Sequence, residues 1–439
     1  MKLDTKRPIL VGFEFLSICA FWQMYDNLIP LILTNTFHLN ETLSGAIMAA
    51  DNILALFLLP LFGGISDKCT SKLGRRRPFI LMGTLAAIIL MLALPLIADS
   101  YHAVPSAGKI GLFVTLLALL LISMGIYRSP AVALMPDITP KPLRSKANAI
   151  INLMGALGGI SYLLITTFLY TTQSDVYRSY FPLFAIVGGI MLAAVIIIMC
   201  FVNEPKLVEK QRKYENAHSD EDSAESGESG EALPGEVKRS LAFLLVSIAL
   251  WYIGYNGVTT WFTVYAQRTW NMSLGQANTC LTIATGGAIL SYIPVGSIAS
   301  RLGRRKTIRF GTLLLSAGFA AGFLFTIFTD HFSHILYAAF FMVGIAWAAI
   351  NVKSLPMVVE MCRGSEVGKF TGLYYTFSMT AQIATPIAAG FLLRHVSYET
   401  LFPYAAVFTF GSFLTMGQVQ HGDNKITPQK GLEAFDVED

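Results

Sequence analysis

The chain has 439 residues, 54% hydrophobic and 14% charged, with a formal net charge of +4 and a mean hydropathy of +0.56. Soluble domains carry about 25% charged residues, so this composition excludes an ordinary soluble protein and describes one built for a bilayer. The small cationic surplus is confined to loops and gives no case for nucleic-acid binding. Cys19, Cys69, Cys200, Cys280 and Cys362 are scattered without a CxxC pair, which argues against a disulfide framework or a metal site.

The basic N-terminus (Lys2, Lys6, Arg7) leads into an apolar run that is too long for a signal peptide, contains Glu14 and lacks a small-residue cleavage site; it predicts a retained first helix. Twelve apolar stretches of helix-spanning length follow, near 9–34, 43–64, 79–98, 110–136, 148–171, 182–202, 241–265, 277–299, 309–329, 335–361, 370–393 and 401–419. Of the 32 Lys and Arg residues, 26 fall on the side shared by both termini, four on the other side and two (Arg128, Lys353) inside spans. That asymmetry predicts cytoplasmic termini.

The loop between spans two and three reads Gly63-Gly-Ile-Ser-Asp67-Lys-Cys-Thr-Ser-Lys-Leu-Gly74-Arg-Arg-Arg77-Pro78, and the chain repeats the device as Gly296-Ser-Ile-Ala-Ser300-Arg-Leu-Gly303-Arg-Arg-Lys306. Arg128 precedes Asp137 by nine residues, as Asn351 precedes Glu360, and Lys146 and Lys369 keep the same spacing between halves. The chain therefore divides into a first six-helix bundle (1–203), a linker (204–239), a second six-helix bundle (240–420) and a polar tail (421–439). The linker's Asp220-Glu-Asp222-Ser-Ala-Glu225 run is too acidic and too poor in apolar residues to pack, and predicts disorder. Asn40-Glu-Thr42 and Asn271-Met-Ser273 have the glycosylation pattern, but in short loops beside a membrane they are read as chance.

Two parallel repeats of six spans are the mark of the major facilitator superfamily, so the fold class is an all-α membrane protein of twelve transmembrane helices. Ser66 through Phe79 resembles the corresponding loop of plant sucrose–proton symporters and of animal solute-carrier family 45 proteins. Arg128-Ser-Pro-Ala-Val-Ala-Leu-Met-Pro-Asp-Ile-Thr-Pro140 and Gly368-Lys-Phe-Thr-Gly-Leu-Tyr374 are similar to the bacterial branch of that group. The resemblance implies proton-coupled uptake of a disaccharide or other glycoside, sucrose- or maltose-like, across the plasma (inner) membrane. It implies no cofactor beyond the coupling ion, no nucleic-acid partner, and a monomer in the lipid bilayer. Plant members resemble one another in an aspartate midway along span four, which this chain lacks before Tyr127; a proton site must lie elsewhere.

An ionisable group inside a span is costly unless paired or hydrated, which makes each a functional candidate. These are Glu14 and Asp26 on span one, Asp51 on span two, Arg128 on span four and Lys353 on span ten. Asp26 and Asp51 each lie about eight residues, roughly 12 Å, from the outer end of their helices, so they reach a similar depth. Glu14 and Arg128 both fall in the cytoplasmic half and are read as an ion pair, with Asp26 and Asp51 as proton sites, and all four are proton-coupling candidates; the competing readings are that Glu14 snorkels to the interface and that Asp51 makes a structural bond to a neighbouring helix. Sugars are bound by aromatic faces and by amides or carboxylates. Trp22, Gln23, Tyr127, Arg128, Trp251, Tyr252, Tyr255, Asn256, Trp347, Asn351, Lys353, Tyr374 and Gln382 are the substrate-binding candidates, with Trp251 and Tyr255 one turn apart on one face and Tyr252 and Asn256 beside them. Asp67, Arg75, Arg76, Asp137 and Arg144 are read as a cytoplasmic gate held by ion pairs. The second half has Ser300 in place of Asp67, so its gate is expected to be the weaker.

Other functions compete. A sodium-coupled glycoside symporter of the melibiose type uses Asp26 and Asp51 as cation ligands instead of proton carriers. A membrane enzyme needs a clustered metal or nucleophile site, whereas the seven histidines (38, 102, 218, 331, 334, 395, 421) occupy loops, tails and span ends, so no catalytic site is expected. A sugar sensor needs a folded signalling domain, for which linker and tail are too short and polar.

Overall fold

A chain without water around it must satisfy every backbone N–H and C=O internally, so long apolar runs become helices. The computed structural model describes residues 6–140, 143–172, 177–217, 234–329, 333–361 and 367–423. In it the runs form α1 (Lys6–Leu31), α2 (Glu41–Asp67), α3 (Arg77–Ala103), α4 (Ala107–Ile138), α5 (Arg144–Leu169) and α6 (Phe181–Phe201), then α8 (Gly235–Thr269), α9 (Leu274–Leu302), α10 (Arg304–Phe328), α11 (Ile335–Glu360), α12 (Val367–His395) and α13 (Leu401–Met416), with α7 (Glu204–Ala217) between the two sets. Eleven of these are long and apolar enough to cross a membrane. The twelfth expected span, α13, has 16 residues, about 24 Å of helix, preceded by a 3-10 turn at Tyr398–Thr400.

Local chemistry marks the starts. The Asn40 side chain accepts from the Leu43 N–H at 2.8 Å and opens α2. Ser273 and Gln276 form a reciprocal capping box that opens α9. Two residues of the glycosylation-like triplets are thus occupied as helix caps. Proline lies inside many of the spans; after Pro30, α1 loosens into a π-helical turn at Ile32–Thr36, and the Thr34 hydroxyl donates to the Pro30 carbonyl at 2.8 Å.

The chain divides into two units, Met1–His218 and Ser219–Asp439. In the first, α1 packs on α5 and α6, α2 on α4, and α3 on α4 and α6. In the second, α8 packs on α12 and α13, α9 on α11, and α10 on α11 and α13. The same pairing pattern occurs twice, which is the repeat seen in the sequence expressed as packing. The expected disordered linker begins differently: residues 204–217 are helical. Glu-Pro-Lys-Leu-Val-Glu-Lys-Gln-Arg-Lys places acids and bases three or four residues apart, which supports a helix, and Glu204 anchors its first turn in the protein. Helix α8 starts at Gly235, and the linker residues 218–233, like the tail beyond 423, lie outside the described residues.

Candidate functional site

The charged residues within the spans of the first unit, Glu14, Asp26, Asp51 and Arg128, lie on α1, α2 and α4. Glu14 is 0% exposed, which rules out the snorkelling reading. Its Oε2 accepts from the Tyr127 hydroxyl, which also meets the Ser17 hydroxyl, while its Oε1 has no hydrogen-bond partner. No ion pair joins Glu14 to Arg128 among the described residues. Tyr127 and Arg128 are consecutive on a helix, so they diverge by about 100°, and only the tyrosine turns to Glu14. The Arg128 guanidinium lies over the Trp22 ring, 5.8 Å from its centroid, within electrostatic range of Asp51.

Asp26 and Asp51 are within electrostatic range of each other, and both of Tyr25. Asp51 accepts from the Asn52 side chain at 2.8 Å, a bond within its own helix, where the sequence admitted a bond to a neighbouring one. Trp22 Nε1 and the Tyr25 hydroxyl are buried without hydrogen-bond partners. Gln23 lies against α5, its Oε1 3.6 Å from where a Cβ on Gly159 would stand. The first unit therefore holds two carboxylate stations: one at Glu14, closed by a tyrosine, and one at Asp26 and Asp51, faced by a cation and by unsatisfied donors.

In the second unit Tyr255 stacks on Trp347 with centroids 3.7 Å apart and an interplanar angle of 8°, and Tyr252 meets the same tryptophan edge-on at 5.7 Å. The Tyr252 and Tyr374 hydroxyls are 3.3 Å apart, and Ser354 lies 3.1 Å beyond. Asn256 Nδ2 is buried beside this stripe with no partner. Trp251, one turn from Tyr255, is instead enclosed at 1% exposure, and Trp261 is enclosed too, its Nε1 donating to the Pro386 carbonyl at 3.1 Å. Those two, with Trp270 against Phe402, fill the packing interior. The backbone carbonyl of Asn351 accepts from Ser354. Gln382 is half-buried on α12, and the Lys353 side chain lies outside the described residues.

At the loop between α2 and α3, Arg76 is the hub. It bonds Asp67 and donates to Asp137 at 2.8 Å, to Ser66 and to the Gly63 carbonyl at 3.3 Å, while Arg75 lies 3.6 Å from Asp137. Burial opposes the charge on Arg76, but Asp137 and Asp67 outweigh it and hold its pKa above the usual value. Arg144 donates to the carbonyls of Pro136 and Thr139 at the end of α4, at 3.1 and 3.2 Å. In the second unit Arg304 pairs with Glu360 and Arg305 donates to the Gly417 carbonyl at 2.7 Å, so this loop has its own ion pair although it lacks an aspartate at 300.

Sequence reasoning missed Glu204. Its carboxylate, in a residue 1% exposed, accepts the backbone N–H groups of Arg75 at 2.7 Å, Arg76 at 3.0 Å and Arg77 at 3.1 Å, capping the N-terminus of α3 where the helix dipole favours an anion. Asp423 does the same for Arg304 at the start of α10. Both carboxylates meet a glycine at positive φ, Gly74 (+111°) and Gly303 (+93°). The available signal was the position of each acid shortly after the last helix of its unit, opposite a Gly-Arg-Arg sequence.

Among the described residues no group of His, Cys, Asp and Glu is arranged to hold a metal ion. The chemistry on offer is proton or cation binding at carboxylates in the first unit, and stacking with hydrogen bonding in the second.

Comparison with known proteins gives this chemistry its setting. The chain matches the Major Facilitator Superfamily over residues 13–277 and 265–423. It is 33% identical over 137 residues to sucrose transport protein SUT3 of Oryza sativa subsp. indica, which is 28% of this chain and 27% of that protein. It is 33% identical over 156 residues to proton-associated sugar transporter A of Homo sapiens, 34% of this chain and 20% of that protein. The matched stretch thus spans well under a third of either relative. Among solved structures, the xylose transporter XylE from E. coli superposes with a TM-score of 0.66 at 14% identity over 98% of both chains. The nucleoside transporter NupG superposes at 0.67 and 14%, covering 95% of this chain and 100% of that one. Likeness at such identity is one of fold, and the fold carries cargoes as unlike as a pentose and a nucleoside. The chain belongs to the Major Facilitator Superfamily and is a multi-pass membrane transporter.

Proposed function

We propose that this transporter carries a disaccharide or other glycoside, of sucrose or maltose type, in symport with protons. The observation that carries the reading is the aromatic and amide cluster of the second unit. The stacked Tyr255 and Trp347, with Tyr252 edge-on and the unpartnered Asn256 amide alongside, combine a π-face for sugar C–H groups with a donor for hydroxyls. The carboxylates of the first unit supply sites for a coupling ion, and the sugar transporters among the sequence relatives agree with this cargo. Transport then exposes the substrate site to each side in turn, with protonation of a carboxylate favouring the reorienting state. The positive-charge asymmetry supports cytoplasmic termini in a plasma (inner) membrane; we take the working unit as a monomer with no cofactor besides the coupling ion.

A sodium-coupled mechanism has one observation in its favour: Asp26, Asp51 and the Tyr25 hydroxyl are oxygen groups within electrostatic range of one another, and hard cations take oxygen ligands. Uptake of labelled sucrose and maltose into liposomes holding the pure protein separates the two readings. Accumulation driven by an inward proton gradient and abolished by a protonophore is the expected result. Dependence on Na⁺ without a response to protons replaces the coupling ion, and transport of neither sugar removes the cargo.

A further inference from the structure

We propose that Glu14 is the seat of the coupling proton and that Tyr127 is the residue that positions it, separate from the Asp26 and Asp51 station; this rests on the proton-symport reading above. Glu14 is fully buried, and no cation pairs with it among the described residues. Helices α2, α4, α5 and α6 pack on α1; the titratable group that α2 brings is Asp51, in electrostatic range of Tyr25, Asp26 and Arg128. From α4 comes the Tyr127 hydroxyl. On α1 itself are Ser17, which donates to the Glu14 carbonyl at 3.0 Å, and Cys19, in electrostatic range of Tyr127. From α5, Ile151 and Met154 stand against Gly12, and Gly155 against Phe15 and Cys19, none of these α5 residues being charged, and α6 has no charged residue from Phe181 to Phe201.

The two oxygens of Glu14 are therefore unequal. Oε2 is committed to Tyr127, whereas Oε1 is buried with no partner. A proton arriving at this carboxylate binds a lone pair of Oε1, and Tyr127 keeps its own proton and its bond to Oε2. The charge of the site changes by one, no other bond breaks, and release reverses the step. A buried charge without a counterion is costly, so the neutral form favours the closed packing around Glu14 and the anion favours hydration of the site.

Tyr127 also explains how this station is tied to the other. The next residue on α4 is Arg128, which lies over Trp22 and in range of Asp51. A shift of α4 that withdraws the tyrosine from Glu14 moves the guanidinium relative to Asp51 in the same stroke. One helix thus links the occupancy of Glu14 to the charge balance at Asp51 without a chain of contacts between the carboxylates.

Infrared difference spectroscopy on the full-length protein in lipid, stepped in pH, reads the protonated carboxyl directly. We expect a carboxylic C=O band that disappears in Glu14→Gln and moves to higher frequency in Tyr127→Phe, which removes one hydrogen bond and leaves the carboxyl in place. In proteoliposomes Glu14→Gln lowers proton-driven accumulation to the equilibrium ratio, and Glu14→Asp restores part of it. A spectrum unchanged by Glu14→Gln, an unshifted band in Tyr127→Phe, or full proton-driven accumulation in Glu14→Gln each overturns the proposal. The spectroscopy needs no sugar, so a failure of the cargo reading and a failure of this assignment give different results.

Discussion

Replacing Glu204 tests whether a single buried carboxylate holds the basic loop of the first unit in place. Its two oxygens accept three successive backbone N–H groups, those of Arg75, Arg76 and Arg77. In Glu204→Ala those donors lose their acceptor; a lost N-terminal cap costs about 1 kcal/mol, and loss of an anion at a partly buried helix N-terminus costs about 1–2 kcal/mol more. The sum, about 2–3 kcal/mol, converts for a unit of this size at about 2–4 °C per kcal/mol into a melting temperature lower by about 4–12 °C. Glu204→Gln keeps one acceptor oxygen and loses the charge, and should fall about halfway. Asp423→Asn alters a carboxylate that accepts one backbone N–H, that of Arg304, among the described residues, and should shift less than either. The assay is residual monodisperse protein after stepwise heating in detergent, measured by size-exclusion chromatography. If Glu204→Ala melts within about 1 °C of wild type, the carboxylate contributes no net stability and the capping argument fails.

Other expectations follow the same geometry. Trp347→Ala removes the partner of both Tyr252 and Tyr255; at about 0.5–1.5 kcal/mol for an aromatic contact, sugar uptake should show KM raised about 2–10-fold, and an unchanged KM would remove this cluster from the substrate site. A Cβ on Gly158 of α5 would stand 2.0 Å from the Leu16 carbonyl of α1, whereas one on Gly159 would meet nothing nearer than 3.6 Å. Gly158→Ala should therefore destabilise by about 1–3 kcal/mol and Gly159→Ala hardly at all, a contrast that heating in detergent will reveal or refute. Arg76→Lys keeps the charge but cannot serve Asp67, Asp137, Ser66 and Gly63 together, because an ammonium lacks the planar fork of a guanidinium. Its melting temperature should drop despite the conserved charge, and wild-type stability would show that the loop needs only a cation.

The sequence by itself determined the order of the apolar helices, the twofold repeat and the place of the basic loops, because hydrophobic length and the clustering of Lys and Arg act locally and survive without knowledge of neighbours. It expected twelve spans, of which eleven are long and apolar enough to cross a membrane and the last is a helix of 16 residues. It also marked the charged residues inside spans, since any such residue stands out against an apolar background. Only the tertiary structure decided which of them meet. Helices α1 and α4 are apolar almost all round, so nothing in their periodicity says which face turns to which neighbour. Glu14 and Arg128 looked like partners by depth, and a rotation of one residue along α4 gave the carboxylate to Tyr127 and the cation to Asp51 and Trp22. The same limit applied to Trp251, which lies beside the aromatic stripe in sequence and inside the packing in space. Glu204 was hidden for another reason. Its averaged surroundings are polar and unremarkable, and its role exists only where the end of α6 returns to the start of α3, an encounter between residues about 130 positions apart in the chain.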